Sequence, residues 1–116
     1  MLIDVNPLGE RLVKVTLTGR LDTPGVDRVE TRFVAALVPG ANSAIVDLSQ
    51  VEFVASMGIR MLLSAARSLK LRHATLAVYG VQDHVAQVFE AAALQKMLPI
   101  CSTEAEALAA ITASSD

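Results

Sequence analysis

Few side chains in this sequence are placed to do chemistry, and the one whose surroundings stand out is Ser56. It follows Val51-Glu52-Phe53-Val54-Ala55 and precedes Met57 and Gly58, immediately before a segment that is apolar at helical spacing. A serine in that position has a plain use as a helix N-cap, its hydroxyl accepting a bond from a free backbone N–H. That use alone accounts for most serines so placed. The same geometry permits a second use. A phosphate ester on a helix N-terminus meets unpaired N–H groups and the positive end of the helix dipole, and brings about −1.5 to −2 charges to a neutral place. Gly58 would let another backbone come close, and Met57 offers an adaptable apolar contact. Modification there would turn a protein interface from attractive to repulsive with little change in fold.

Signatures of catalysis are missing elsewhere. Gly19 and Gly25 stand apart and make no dinucleotide-binding fingerprint, and no glycine-rich phosphate loop follows a strand. His73 and His84 fall in polar positions, a turn and a helix start, without ligand spacing to Cys101 or to a pair of carboxylates. They read as solvated histidines. Cys101, near an edge strand, reads as a small packing residue, and Arg67, Lys70 and Arg72 as complements to a helix C-terminus. No cofactor, metal site or enzymatic activity is expected.

The elements that must hold Ser56 follow from the apolar pattern. Val13, Val15 and Leu17 alternate with Lys14, Thr16 and Thr18, the period of a half-buried strand over 11–18 that Gly19 should end. Leu2 to Asn6 should pair with it through a turn at Pro7 to Glu10. Thr23-Pro24 looks like a capped helix start, with Val26, Val29, Phe33 and Leu37 on one face and Pro39-Gly40 as the stop. Ala44 to Leu48 is a short strand buried on both faces. A second helix should run from about Met57 to Leu71 on Ile59, Leu62, Leu63, Ala66 and Leu69. A strand over 75–79, a helix over 83–94 and an edge strand over 98–101 come next. Thr103 and Glu106 form a capping box before a final helix, and the polar tail from Thr112 to Asp116 should fray. Strands alternating with helices predict an α/β domain whose sheet is largely parallel in its later part.

Composition sets the frame. The 116 residues suit one domain, taken as 1–116, and 53% apolar content is enough for a core, built from aliphatic residues because aromatics are only 3%. A net charge of −2 gives no reason to expect nucleic acid as a partner. A single cysteine excludes an internal disulfide. Without a signal-peptide pattern at the start or an apolar run long enough to span a bilayer, the cytoplasm is the expected location and direct membrane insertion is not.

Two of these stretches resemble the signatures of STAS domains, the family named for sulfate transporters and anti-sigma-factor antagonists. Val51-x-Phe53-Val54-Ala55-Ser56-Met57-Gly58 is similar to the family's turn of valine, phenylalanine, a hydrophobic residue, Asp, Ser, Ser and Gly, and Leu17-Thr18-Gly19-Arg20-Leu21-Asp22 matches an early family element. The resemblance covers nearly the whole chain. It implies a STAS-like α/β domain with a mixed sheet of four to five strands and about four helices. For the antagonist branch it implies partner switching. The unmodified domain binds an anti-sigma factor that is also a serine kinase, the kinase uses ATP to phosphorylate the acceptor serine, the complex separates, and a serine phosphatase resets it. By position the acceptor is Ser56. Asp22 is implied as an interface residue, as are Thr18, Gly19, Met57, Gly58 and Arg60 on the same surface; a solvated helix-face role is the plainer reading of Arg60. Ala55 and Met57 stand where the family has an acid and a second serine.

A second function is compatible with the same fold: an accessory subunit of a lipid-transporting membrane complex of the ABC type, bound constitutively, with Ser56 a cap and nothing more. A third, a nucleotide-binding or enzymatic domain, lacks a phosphate loop. The oligomeric state is open.

Overall fold

Val13, Val15 and Leu17 line one side of a strand that is longer than its alternation suggests, β2 (Leu12–Leu21), and all three are buried. The computed structural model describes residues 1–114. β1 (Leu2–Gly9) runs antiparallel to β2, with Leu2 opposite Thr18 and Pro7 opposite Val13. Pro7 is therefore inside the strand rather than in the turn, which an edge position allows because its missing N–H faces away from the ladder. The reversal is at Glu10 and Arg11, with Arg11 left-handed at φ 54°. Gly19 does not end β2. Its φ of +115° makes a bulge instead of a stop, and the ladder resumes to Leu21.

Helix α1 (Thr23–Leu37) buries Val26, Val29, Phe33 and Leu37 on one face, as the spacing predicts. Its N-cap is Asp22 rather than Thr23: the Asp22 carboxylate accepts a 2.9 Å bond from the Gly25 N–H. β3 (Ser43–Val54) extends well past Leu48. Asp47 Oδ1 accepts from both the N–H and the hydroxyl of Ser49, at 2.9 and 2.7 Å, where the register between β2 and β3 shifts. That bulge breaks the apolar run, so the strand's second half is invisible to periodicity, yet it carries the chain to Val54 opposite Leu21.

Then come α2 (Ser56–Leu71), β4 (Leu76–Tyr79), α3 (Asp83–Ala91), a 3₁₀ turn at Leu94–Lys96, β5 (Ile100–Cys101) and α4 (Glu104–Ser114). α3 is shorter than its apolar spacing suggests, because Ala93 turns left-handed at φ 55°. Thr103 Oγ1 accepts from the Glu106 N–H, and the Glu106 carboxylate accepts from the Ser102 N–H, a capping box displaced by one residue. The helix continues through Thr112 to Ser114, where fraying was expected; Ser115 and Asp116 lie outside the described residues.

The sheet order is β1-β2-β3-β4-β5, antiparallel between the first pair and parallel thereafter. The fold is thus the expected α/β arrangement, with a mixed five-stranded sheet. One face carries the main core, where α1, α2 and α3 pack Phe33, Leu62 and Phe89 against Val15, Val46 and Val78. The other face carries α4, which packs Ala107 and Ile111 on Ile45, Ala77 and Tyr79.

Candidate functional site

The C-terminal end of β2 is the point from which the candidate site is built. Leu21 is fully buried, and two helices begin close to this strand end. Its carbonyl accepts a 3.0 Å bond from the Ala55 N–H, fixing the last residue before α2 to the end of β2. Gly58, in the first turn of α2, is buried against the same residue: a Cβ there would lie 2.7 Å from both the Leu21 carbonyl oxygen and Cγ. The backbone that Gly58 admits is therefore that of Leu21 in its own chain. On the other side, a Cβ at Gly25 would lie 2.1 Å from the Arg20 carbonyl oxygen, so α1 starts equally close. Two glycines thus bring two helix N-termini to one strand end.

Those N-termini differ. That of α1 is capped by Asp22, whose carboxyl is held below its ordinary range chiefly by the Gly25 N–H bond and further by Arg20, which pairs with it at 3.3 Å. That of α2 has Ala55 at the N-cap, no side-chain cap bond and no acidic residue in its first turn. Ser56 is consequently not the cap. It is the first residue of the helix and is exposed. Met57 is half-buried, and Arg60 is exposed one turn further along, on the face of α2 that Ser56 shares. Asp22 follows Leu21 directly and so joins this cluster. Thr18 and Gly19 sit further back in the ladder, opposite Gln50 and Val51; Gly19 lies under the chain start, where a Cβ would meet Met1 Cα at 3.4 Å.

One feature at this end escaped the sequence reading. The Arg20 guanidinium lies over the ring of Phe53, 4.3 Å from its centroid. Phe53 is 38% exposed, whereas Phe33 and Phe89 are buried in the core. The signal was available: a phenylalanine in a chain with three of them, in the half of β3 that periodicity did not reach. His73 and His84 are exposed, and His84 Nε2 hydrogen-bonds the Glu52 carbonyl, tying α3 to the far half of β3. Cys101 is half-buried against the α4-side core, and burial raises its thiol.

A family model for the STAS domain matches residues 7–107. The chain belongs to the STAS domain family. This STAS domain is 23% identical over 94 residues to the anti-sigma-B factor antagonist of Listeria monocytogenes, which is 81% of this chain and 82% of that one. Among solved structures, an anti-sigma factor antagonist from Mycobacterium paratuberculosis superposes with a TM-score of 0.83 at 22% identity, covering 96% of this chain and 93% of the other. SpoIIAA in its unphosphorylated form superposes with a TM-score of 0.71 at 21% identity, covering 93% and 96%. These likenesses bear out the fold, and the family supplies regulatory binding proteins of the antagonist kind. Among the described residues no helix is long and apolar enough to cross a membrane, and no group of three or more His, Cys, Asp or Glu side chains could hold a metal ion.

Proposed function

We propose that this STAS domain, residues 1–116 acting as one unit, is a cytoplasmic anti-sigma-factor antagonist that binds an anti-sigma factor with serine-kinase activity and is switched by phosphorylation of Ser56. The observation that carries the reading is an exposed hydroxyl on the first residue of α2, at an N-terminus that no side chain caps. In the unmodified state the surface of Ser56, Met57, Arg60 and Asp22 is open to a partner, while Gly58 and Leu21 set its shape from beneath. Transfer of the γ-phosphoryl group of ATP to Ser56 Oγ releases ADP and the hydroxyl proton. The product places about −1.5 to −2 charges at the free backbone N–H groups of the first turn, where helix polarity favours an anion. The cost of burying that dianion under a partner then separates the complex, because a desolvated charge without a partner is expensive. A serine phosphatase resets the surface by hydrolysis.

The relatives support this by name, and SpoIIAA has also been solved in a phosphorylated form to which this chain superposes with a TM-score of 0.67. Incubation with ATP and the kinase encoded in the same genome should add one phosphate, seen as a mass increase, to the wild-type protein and none to Ser56→Ala. Equal labelling of the variant would remove Ser56 from the mechanism. No labelling of either protein would favour the transport-subunit reading, in which Ser56 is only a helix residue.

A further inference from the structure

The site carries a second element besides the serine, and it is charged. Arg20 is placed by β2 on the outer edge of the cluster, its guanidinium stacked on Phe53 and its Nε bonded to Asp22 Oδ2 at 3.3 Å. The bond through Nε leaves the two terminal nitrogens without a partner among the described residues. The side chain is nonetheless 56% exposed, so this fork is accessible to a partner. Stacking and the Asp22 bond both favour this rotamer, which lowers the side-chain entropy lost on binding. The ring beneath it stays partly uncovered. Arginine and aromatic residues are both enriched at protein interfaces, and arginine is among the few residue types that carry most of the binding energy.

The charge balance gives the partner's sign. Asp22 is already compensated by Arg20 and by the Gly25 N–H. From Phe53 to Leu63 the chain carries no acid, and Arg60 adds a positive group on the same face as Ser56. The positive groups open to a partner here are the Arg20 terminal nitrogens and Arg60, with the exposed acid Glu52 beside Phe53 opposing them.

We propose that Arg20, oriented by Phe53 and Asp22, is the specificity-determining anchor of this surface and that its partner is a protein patch presenting carboxylates against Arg20 and apolar side chains against Phe53. The inference rests on the partner-binding reading of Ser56 and adds the chemistry of what binds. A carboxylate meets the guanidinium fork in a bidentate pair, the planar match that lysine cannot make. Phosphate on Ser56 then acts twice: it repels the partner's carboxylates and competes with them for Arg60, one turn along the same helix face.

The test is calorimetric titration of the protein with its anti-sigma-factor kinase, loaded with ADP so that no transfer occurs, across a range of salt concentrations. Wild type should bind with an affinity that falls as salt rises. Arg20→Gln should weaken binding about tenfold or more and flatten the salt dependence; Arg20→Glu should be weaker still, and Phe53→Leu should also weaken it. The midpoint of thermal unfolding should hold for Arg20→Gln, because an exposed ion pair contributes little to stability. Wild-type affinity and an unchanged salt dependence in Arg20→Gln, with binding abolished in Ser56→Asp, would overturn the anchor and leave the switch standing. A kinase that binds none of these proteins would overturn both.

Discussion

Gly58 shows how much of the site depends on a side chain that is not there. In the interior of an exposed helix, Gly→Ala ordinarily gains up to about 1 kcal/mol from helix propensity. Here the added methyl would lie 2.7 Å from the Leu21 carbonyl oxygen and Cγ. The carbonyl is backbone, already bonded to the Ala55 N–H, and cannot swing aside. Gly58→Ala should therefore destabilise by about 1–3 kcal/mol, the usual range for overpacking, measured as a lowered urea midpoint with unchanged slope. A gain in stability would mean that α2 does not close on β2 as described, and with it the placement of Ser56 would go. The same residue explains why the sequence could announce a close approach but not its partner: glycine marks tight packing without saying which backbone comes near.

Elements were legible where burial follows one simple period, and less so at their ends. The alternation of β2 and the spacing of Val26, Val29, Phe33 and Leu37 both survive in the structure. The helix starts each slipped by one residue, because Asp22-Thr23 and Ala55-Ser56 each offer adjacent positions and only the observed geometry decides which is outside the helix. The far half of β3 was hidden by the Asp47–Ser49 bulge, and with it the exposure of Phe53.

The docking of α4 was equally unreadable, since it depends on pairing between distant residues. Lys14 of β2 and Tyr79 of β4 both donate to Glu104 Oε1, at 2.7 and 3.0 Å. Burial, and then the bond to Glu104, push the Tyr79 hydroxyl up to about 12. Because that value is raised in the folded state, the associated stability is complete below the ordinary tyrosine range near 10 and is lost as pH rises toward 12. With one tyrosine in the chain, tyrosinate absorbance reads it directly. The midpoint should be close to 12 in the folded protein and near the ordinary value in denaturant. An ordinary midpoint in the folded protein would mean that α4 does not sit on the sheet through this contact.

At the scale of the whole molecule, the two faces of the sheet divide the work. The side with α1, α2 and α3 holds the main core, and the end of β2 that this core anchors is where both helix N-termini and the Arg20–Phe53 pair come together. A switch built this way needs no rearrangement of the fold, because the charge changes on an exposed residue of a fixed helix. On the proposed function, charge alone separates the complex, and binding and structure can be measured together for the two forms. The purified protein, stoichiometrically phosphorylated on Ser56, and its unmodified form are each titrated with the anti-sigma-factor kinase, alongside amide spectra of both. The unmodified form should bind and the phosphorylated form should not, with spectral changes confined to the neighbourhood of Ser56. Equal affinity of the two forms, or loss of binding accompanied by shifts throughout the sheet, would contradict separation by charge alone.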